Sequence, residues 1–192
     1  MTFWPKTAIY PEVVTLRDGR TVTVSPITPA AKPLIAAAMA TLSRETSRRR
    51  FFTVRYQLSD DELDRMTALD GITAFALGAV AHGADDAPHG VGVARYARDA
   101  HDPTTAELAI LVVDAFQGQG LGKELVTRLV VEARARGIER LRALVLPDND
   151  VVIGMLARHA PSVAIERYGD AMHADIPTGL LQSRRTRESA WY

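Results

Sequence analysis

The stretch Val112-Val113-Asp114-Ala115-Phe116-Gln117-Gly118-Gln119-Gly120-Leu121-Gly122-Lys123 decides how this chain is read. A hydrophobic run over residues 105–113 ends in glycines at alternate positions. Leu121, Leu125, Leu129 and Ala133 then recur with helical spacing. Strand, glycine turn and helix follow one another directly. Gly118, Gly120 and Gly122 let successive backbone N–H groups turn toward one point with no Cβ in the way. The unpaired amides of the first helical turn face that same point, and the helix dipole adds partial positive charge. Such a junction is a pocket for a pyrophosphate, to which Lys123 can add a full charge.

Two familiar phosphate loops do not fit. A Walker loop needs Gly, four residues, then Gly-Lys-Ser/Thr. Here Gly118 and Gly122 are separated by three residues, and Glu124 stands where the Mg²⁺-binding hydroxyl belongs. The dinucleotide fingerprint needs Gly-x-Gly-x-x-Gly; Gly118-x-Gly120-x-Gly122 is one residue short, with Lys123 at the required place.

Working toward the C-terminus, the helix over 120–136 closes with Arg134, Arg136 and Gly137, cations at the negative end of the dipole followed by a glycine cap. Residues 141–146 read as a strand stopped by Pro147, 151–159 as a helix, and 163–176 as a final strand pair. Toward the N-terminus, 91–98 and 72–81 read as strands joined by the loop 82–90. Ser59-Asp60-Asp61-Glu62 is a capping box opening a short helix. Residues 43–52 are a basic segment ending in Phe51-Phe52, and a helix over 34–42 follows Thr28-Pro29 or begins at Pro33. Thr21-Val22-Thr23-Val24 alternates as a strand after the turn Arg17-Asp18-Gly19-Arg20. Residues 1–15 read as an irregular arm carrying Trp4, Pro5, Tyr10 and Pro11. The order predicts an α/β protein, a mixed and mostly antiparallel central sheet flanked by helices. Residues 1–176 are expected to form one domain and 177–192 a flexible tail.

With 47% hydrophobic and 24% charged residues among 192, the composition is that of an ordinary globular protein. Lys+Arg and Asp+Glu are 23 each, so net charge gives no reason to expect nucleic acid or an anionic membrane as partner. Without cysteine and with five scattered histidines, no zinc site, disulfide or thiol nucleophile is expected, and a covalent acyl-cysteine route is excluded. The apolar run 72–81 is about half the length that crosses a bilayer. Residues 1–6 lack the charged start and long apolar run of a leader, so a cytoplasmic location is expected.

Gln117, Gly120 and Gly122 satisfy the spacing Gln/Arg-x-x-Gly-x-Gly/Ala. Together with the strand before, the helix after and the Asp148-Asn149 turn beyond the next strand, this resembles motif A of the GNAT superfamily of N-acetyltransferases. The resemblance implies a GNAT fold, acetyl-CoA as cosubstrate and no metal. It implies that Gln117, Gly118, Gln119, Gly120, Leu121, Gly122 and Lys123 hold the coenzyme A pyrophosphate. The backbone of Ile110, Leu111 and Val112 would pair with pantetheine, and donated N–H groups near Leu111 would polarise the thioester carbonyl. Asn149 would bind the pantetheine arm, cap the helix before Val151, or do both.

Further segments are similar to the bacterial Pat-type protein lysine acetyltransferases. They are Tyr10-Pro11, Leu16-Arg17-Asp18-Gly19-Arg20, Ser25-Pro26-Ile27, Leu42-Ser43-x-Glu45 with residues 48–52, and Ala106-Glu107-Leu108-Ala109. In that group the transferase domain is often fused to a cyclic-nucleotide-binding or acyl-CoA synthetase-like domain. The length here leads us to expect a stand-alone transferase.

An ammonium cannot attack a thioester, and a lysine has pKa ~10.4, so about one in 2,500 is neutral at pH 7, a cost of roughly 4.6 kcal/mol. A base must offset this. Pat-type enzymes carry a general-base glutamate in the segment matching Ala106-Glu107-Leu108-Ala109, which makes Glu107 the candidate; the plain alternative is a solvated carboxylate at a strand end. Many GNAT enzymes place an acidic Tyr seven residues after the Asn of the turn. Here that position is Leu156, and Tyr168 or water would have to substitute.

Other polar groups have ordinary readings first. His82, His89 and His101 fall in predicted loops, and His159 suits a helix C-terminus. Arg44, Arg48, Arg49 and Arg50 form a solvated helix face, or meet an acidic substrate or the adenosine 3′-phosphate. Asp60, Asp61, Glu62 and Asp64 open a helix, or attract a cationic peptide. Three functions stay open at this point: acetylation of a protein lysine, acetylation of a small-molecule amine, and a non-catalytic acyl-CoA-binding regulatory module.

Overall fold

Successive strand segments pair as neighbours up to residue 112, even across the helical stretch 27–73, and this sets the architecture of the computed structural model. It describes residues 9–83, 86–159, 163 and 165–179, the side chains of 157–159 excepted. The strands are β1 (Glu12–Thr15), β2 (Thr21–Pro26), β3 (Ala74–His82), β4 (Pro88–Arg98), β5 (Thr105–Val112), β6 (Arg140–Val145), β7 (Ile165–Tyr168) and β8 (Ala171–Pro177). They form one sheet in the order β1-β2-β3-β4-β5-β6-β8-β7. Helices α1 (Lys32–Ala40), α2 (Arg44–Phe51), α3 (Asp60–Thr67), α4 (Leu121–Ala135) and α5 (Asp150–His159) connect them. Every neighbouring pair is antiparallel except β5 and β6. A parallel pair needs a crossover, and α4 supplies it. The expected mixed, mostly antiparallel sheet flanked by helices is present.

Alternation along β4 and β5 divides their side chains between two faces. Ala94, Tyr96, Ala106 and Leu108 are buried beneath α4, whose Leu121, Leu125 and Leu129 are fully buried with them. The approach is close: a Cβ on Gly92 would lie 3.1 Å from Leu125 and 3.2 Å from Leu121. Arg95 and Glu107 fall on the opposite face, where α1 covers β4 and α2 covers β5. Beyond β5 that face is open, since Leu144 of β6 and Tyr168 of β7 are exposed.

The structure departs from the sequence-based expectations at several boundaries. Residues 12–15 of the expected arm are strand β1, because Val14 is buried in the core and the whole segment pairs with β2. A 3-10 turn, Pro29–Ala31, precedes α1, so Thr28-Pro29 opens that turn and not the helix. The β3–β4 hairpin extends to His82 and His89, which lie in strands and not in a loop. The His159 side chain and residues 180–192 of the expected tail lie outside the described residues. Among the described residues, no helix is long and apolar enough to cross a membrane.

Candidate active site

Between β5 and α4 the chain makes a 3-10 turn, Asp114–Phe116, and then reverses through two glycines in the left-handed region, Gly118 at φ 73° and Gly120 at φ 92°. An L-residue with a side chain is strained there, which explains why these two positions are glycine. Helical bonding from the loop starts at Glu124, whose N–H donates to Gly120 O at 3.1 Å. The N–H groups of Leu121, Gly122 and Lys123 have no backbone acceptor among the described residues, and neither have those of Gly118, Gln119 and Gly120. A run of bare amides at the positive end of a fifteen-residue helix is an anion cradle.

Three clamps fix the loop. The Gln117 side chain turns inward, its Nε2 donating to Thr46 Oγ1 at 2.9 Å and to Val112 O at 3.0 Å. Asp114 accepts from Ser43 N at 2.9 Å, Ser43 Oγ at 2.6 Å and Thr46 Oγ1 at 2.7 Å, so α2 hangs from the loop. Burial works against the Asp114 carboxylate, but the bonds from Ser43 and Thr46 outweigh it and hold its pKa below the usual range. The β1–β2 turn supplies the third clamp. Arg17 N–H donates to Gln119 O at 3.1 Å, and Arg20 Nη2 donates to Ala115 O at 2.8 Å while its guanidinium lies 3.9 Å over the Phe116 ring. The Arg17 side chain runs past Gly120, its Nε 3.6 Å from where a Cβ would sit, and forms no ion pair among the described residues.

Beside this cradle the sheet splits. β5 and β6 pair only from Thr105↔Arg140 to Leu108↔Ala143, while β5 continues to Val112 and β6 to Val145. Past Leu108, β5 is held by β4 alone and leaves one backbone edge open. Val113 N–H donates to Val91 O of the β4 side at 3.0 Å. Alternation then turns the N–H of Leu111 toward β4 as well, and the N–H groups of Ile110 and Val112 toward the opening. The outward-facing donors near Leu111 are therefore those of its two neighbours. The opening is a slot with amide donors at Ile110 and Val112, leading from the anion cradle toward Glu107.

Glu107 is exposed, and its side chain forms no hydrogen bond or ion pair among the described residues. Its strand neighbours are Ala97 on β4 and Arg142 on β6, and Arg142 is already bonded to Asp175 Oδ1 at 3.0 Å. A long, narrow anion-and-backbone site with a free carboxylate at its far end suits a phosphate-bearing thioester and an incoming amine. A family-wide sequence profile described as "Acetyltransferase (GNAT) family" matches residues 41–160.

The chain belongs to this acetyltransferase family.

Its relatives narrow the likeness. Acetyltransferase Pat of Mycolicibacterium smegmatis is 30% identical over 178 residues, 88% of this chain and 50% of that protein. The chain thus spans about half the length of this curated relative. The crystal structure of the GNAT domain of S. lividans PAT superposes with a TM-score of 0.77 at 29% identity, covering 86% of this chain and 96% of that one. A cAMP-binding acyltransferase from Mycobacterium smegmatis superposes at 0.59 with 28% identity, covering 88% of this chain and 48% of that one. The resemblance to the GNAT superfamily and to Pat-type enzymes is borne out.

Within this GNAT domain, Asn149 is buried and its Oδ1 accepts Val152 N–H at 3.3 Å, so it caps α5. Leu156 packs in the core, and Tyr168 is exposed and stacked on His173 at 4.6 Å between ring centroids. Sequence reasoning missed Arg17, Arg20, Asp114, Ser43 and Thr46 as builders of the loop. Arg17 and Arg20 carried only a turn signal, and nothing local in the sequence ties them to a loop about a hundred residues away.

Proposed function

We propose that this chain transfers the acetyl group of acetyl-CoA to a protein lysine through a complex holding both substrates. The observation that carries it is the parting of β5 from β6 directly beside a loop of bare amides, with Glu107 on the neighbouring stretch of the same strand. In this reading the N–H groups of residues 118–123, with Lys123, hold the pyrophosphate, and Arg17 adds a second cation. Gln117 acts mainly by position, bracing Val112 against α2. Ile110 and Val112 present N–H groups to the pantetheine and to the thioester oxygen as negative charge develops there. Glu107 takes the proton from the amine, directly or through water, and the amine attacks the thioester carbonyl. The coenzyme A thiol is acidic enough for its thiolate to leave without a protein acid, water later returning the proton, which fits the burial of Leu156 where many GNAT enzymes carry a tyrosine.

A protein substrate is supported by the likeness to Pat-type enzymes and by the open sheet face over β6, β8 and β7 beside Glu107. A lysine on a folded surface can reach Glu107 across it. Release of coenzyme A with and without amines, followed by mass spectrometry of acetylated protein and of small amines, tests the reading. Glu107→Gln is expected to keep acetyl-CoA affinity and to lose turnover near neutral pH by about a hundredfold or more. Undiminished turnover in that variant removes Glu107 from the mechanism.

A further inference from the structure

The cations of α2 are not alike. Arg48 pairs with Asp148 and Arg49 pairs with Glu45. Arg50, the next residue, is half-buried and its side chain has no hydrogen bond or ion pair among the described residues, though its guanidinium sits 4.9 Å from the Phe51 ring centre. On β4 a second arginine is in the same condition. Arg95 is half-buried without a polar partner among the described residues, whereas Arg98 donates to Ile72 O and Arg136 O.

These two converge on the candidate base. Arg95 is opposite Ala109, two residues along β5 from Glu107 on the same face, which makes it the diagonal neighbour of Glu107. Diagonal partners lie about 7–8 Å apart, within reach of a long side chain. Arg50 lies on α2, which packs on β5, and its charge is felt by both Arg95 and Glu107. Burial pushes the pKa of both guanidiniums down, and the charges of Arg50, Arg95 and Glu107 all act on one another. Both arginines stay protonated regardless. None of their nitrogens is a sealed, unsatisfied atom, so the unpaired nitrogens keep some contact with solvent.

Partly burying two neighbouring guanidiniums is unfavourable unless an anion answers them. Glu107 supplies one negative charge and forms an ion pair with neither. One positive charge is left over, which a monoanion neutralises and a phosphate dianion overshoots beside Glu107. We propose that Arg50 and Arg95 form an anion subsite of the acceptor pocket, and that the amine acetylated at Glu107 carries a carboxylate close to it. The subsite rests on the acetyl-transfer reading and gives it a substrate class. The carboxylate is that of an acidic residue beside the target lysine, or that of a free amino acid.

Four probes separate these sources: a blocked peptide with Asp next to its single Lys, the same peptide with Asn, free lysine, and cadaverine, which is lysine without its carboxylate. The expected result is that kcat/KM favours the carboxylate member of one pair by about tenfold or more. Arg50→Gln and Arg95→Gln should each bring that ratio toward one while acetyl-CoA affinity by calorimetry holds. Hexanoate, a monoanion that is lysine without its two amines, should inhibit the wild-type enzyme competitively against the amine. The wild-type ratio and the hexanoate inhibition need no variant, so a poorly folding substitution leaves the test intact. Ratios of one in both pairs with normal turnover overturn the subsite and leave the transferase standing. No transfer to any probe overturns both.

Discussion

At the scale of single residues, the cradle depends on who stands beside the glycines. Arg17 reaches Gly120 with a guanidinium that no carboxylate answers among the described residues. A charge-assisted hydrogen bond to phosphate contributes about 1.5–3 kcal/mol, so Arg17→Gln should raise the Kd for acetyl-CoA by about tenfold or more. Calorimetry checks this, and the loss should vanish with S-acetyl-pantetheine, which has no pyrophosphate. An equal loss for both ligands would mean that Arg17 only shapes the loop. Gln117 shows the reverse lesson. Its spacing to Gly120 and Gly122 marked it for the ligand, yet its side chain is spent on Thr46 and Val112.

At the scale of elements, α4 matters at both ends. Its start is the anion cradle, and its end is locked to β3. Arg136 Nη1 donates to Glu132 Oε2 at 2.6 Å, its Nε donates to Gly71 O at 2.7 Å, and its guanidinium lies 4.5 Å from the Phe75 ring centre. The sequence reading gave Arg136 the modest task of facing the helix dipole. Burial changes that, since the Arg136 and Glu132 side chains are only 5% and 3% exposed. Arg136→Met leaves a buried carboxylate without its partner and should cost about 3–5 kcal/mol. Urea unfolding measures it. Adding Glu132→Gln to that variant should recover part of the loss, and no recovery would place the effect in lost packing. Elsewhere the elements were legible because their signals are short-range. The Ser59–Glu62 capping box is formed as read, Ser59 Oγ accepting Glu62 N–H at 3.3 Å and Glu62 accepting Ser59 N–H at 2.8 Å.

For the whole molecule, the split sheet makes ligand binding and stability one property. The cradle, the slot and the β1–β2 clamp lie on segments that meet only in the folded chain. Acetyl-CoA at about a hundred times its Kd should therefore stabilise the fold by about 2.7 kcal/mol. For a chain of this size that raises Tm by roughly 5–10 °C. A thermal melt with and without acetyl-CoA checks it. Glu107→Gln should keep the full rise, and Arg17→Gln at the same ligand concentration should show less of it.

By itself the sequence determined what neighbours along the chain can enforce. It determined a strand running into glycines and a helix, the capped starts of helices, the period of each strand, and so the family. Those features rest on torsional freedom and on hydrogen bonds spanning a few residues, which no distant segment has to supply. Only the tertiary structure decided that β5 parts from β6 after Leu108, and that Leu111 turns its N–H to β4 while Ile110 and Val112 face the slot. Which edge of a strand is taken depends on the partner that packs there, and a single strand does not carry that information. The same holds for Arg17 at the loop and for Arg50 and Arg95 around Glu107. Long-range pairing brings these charges together, and at Arg50 and Arg95 partial burial turns ordinary surface cations into a site.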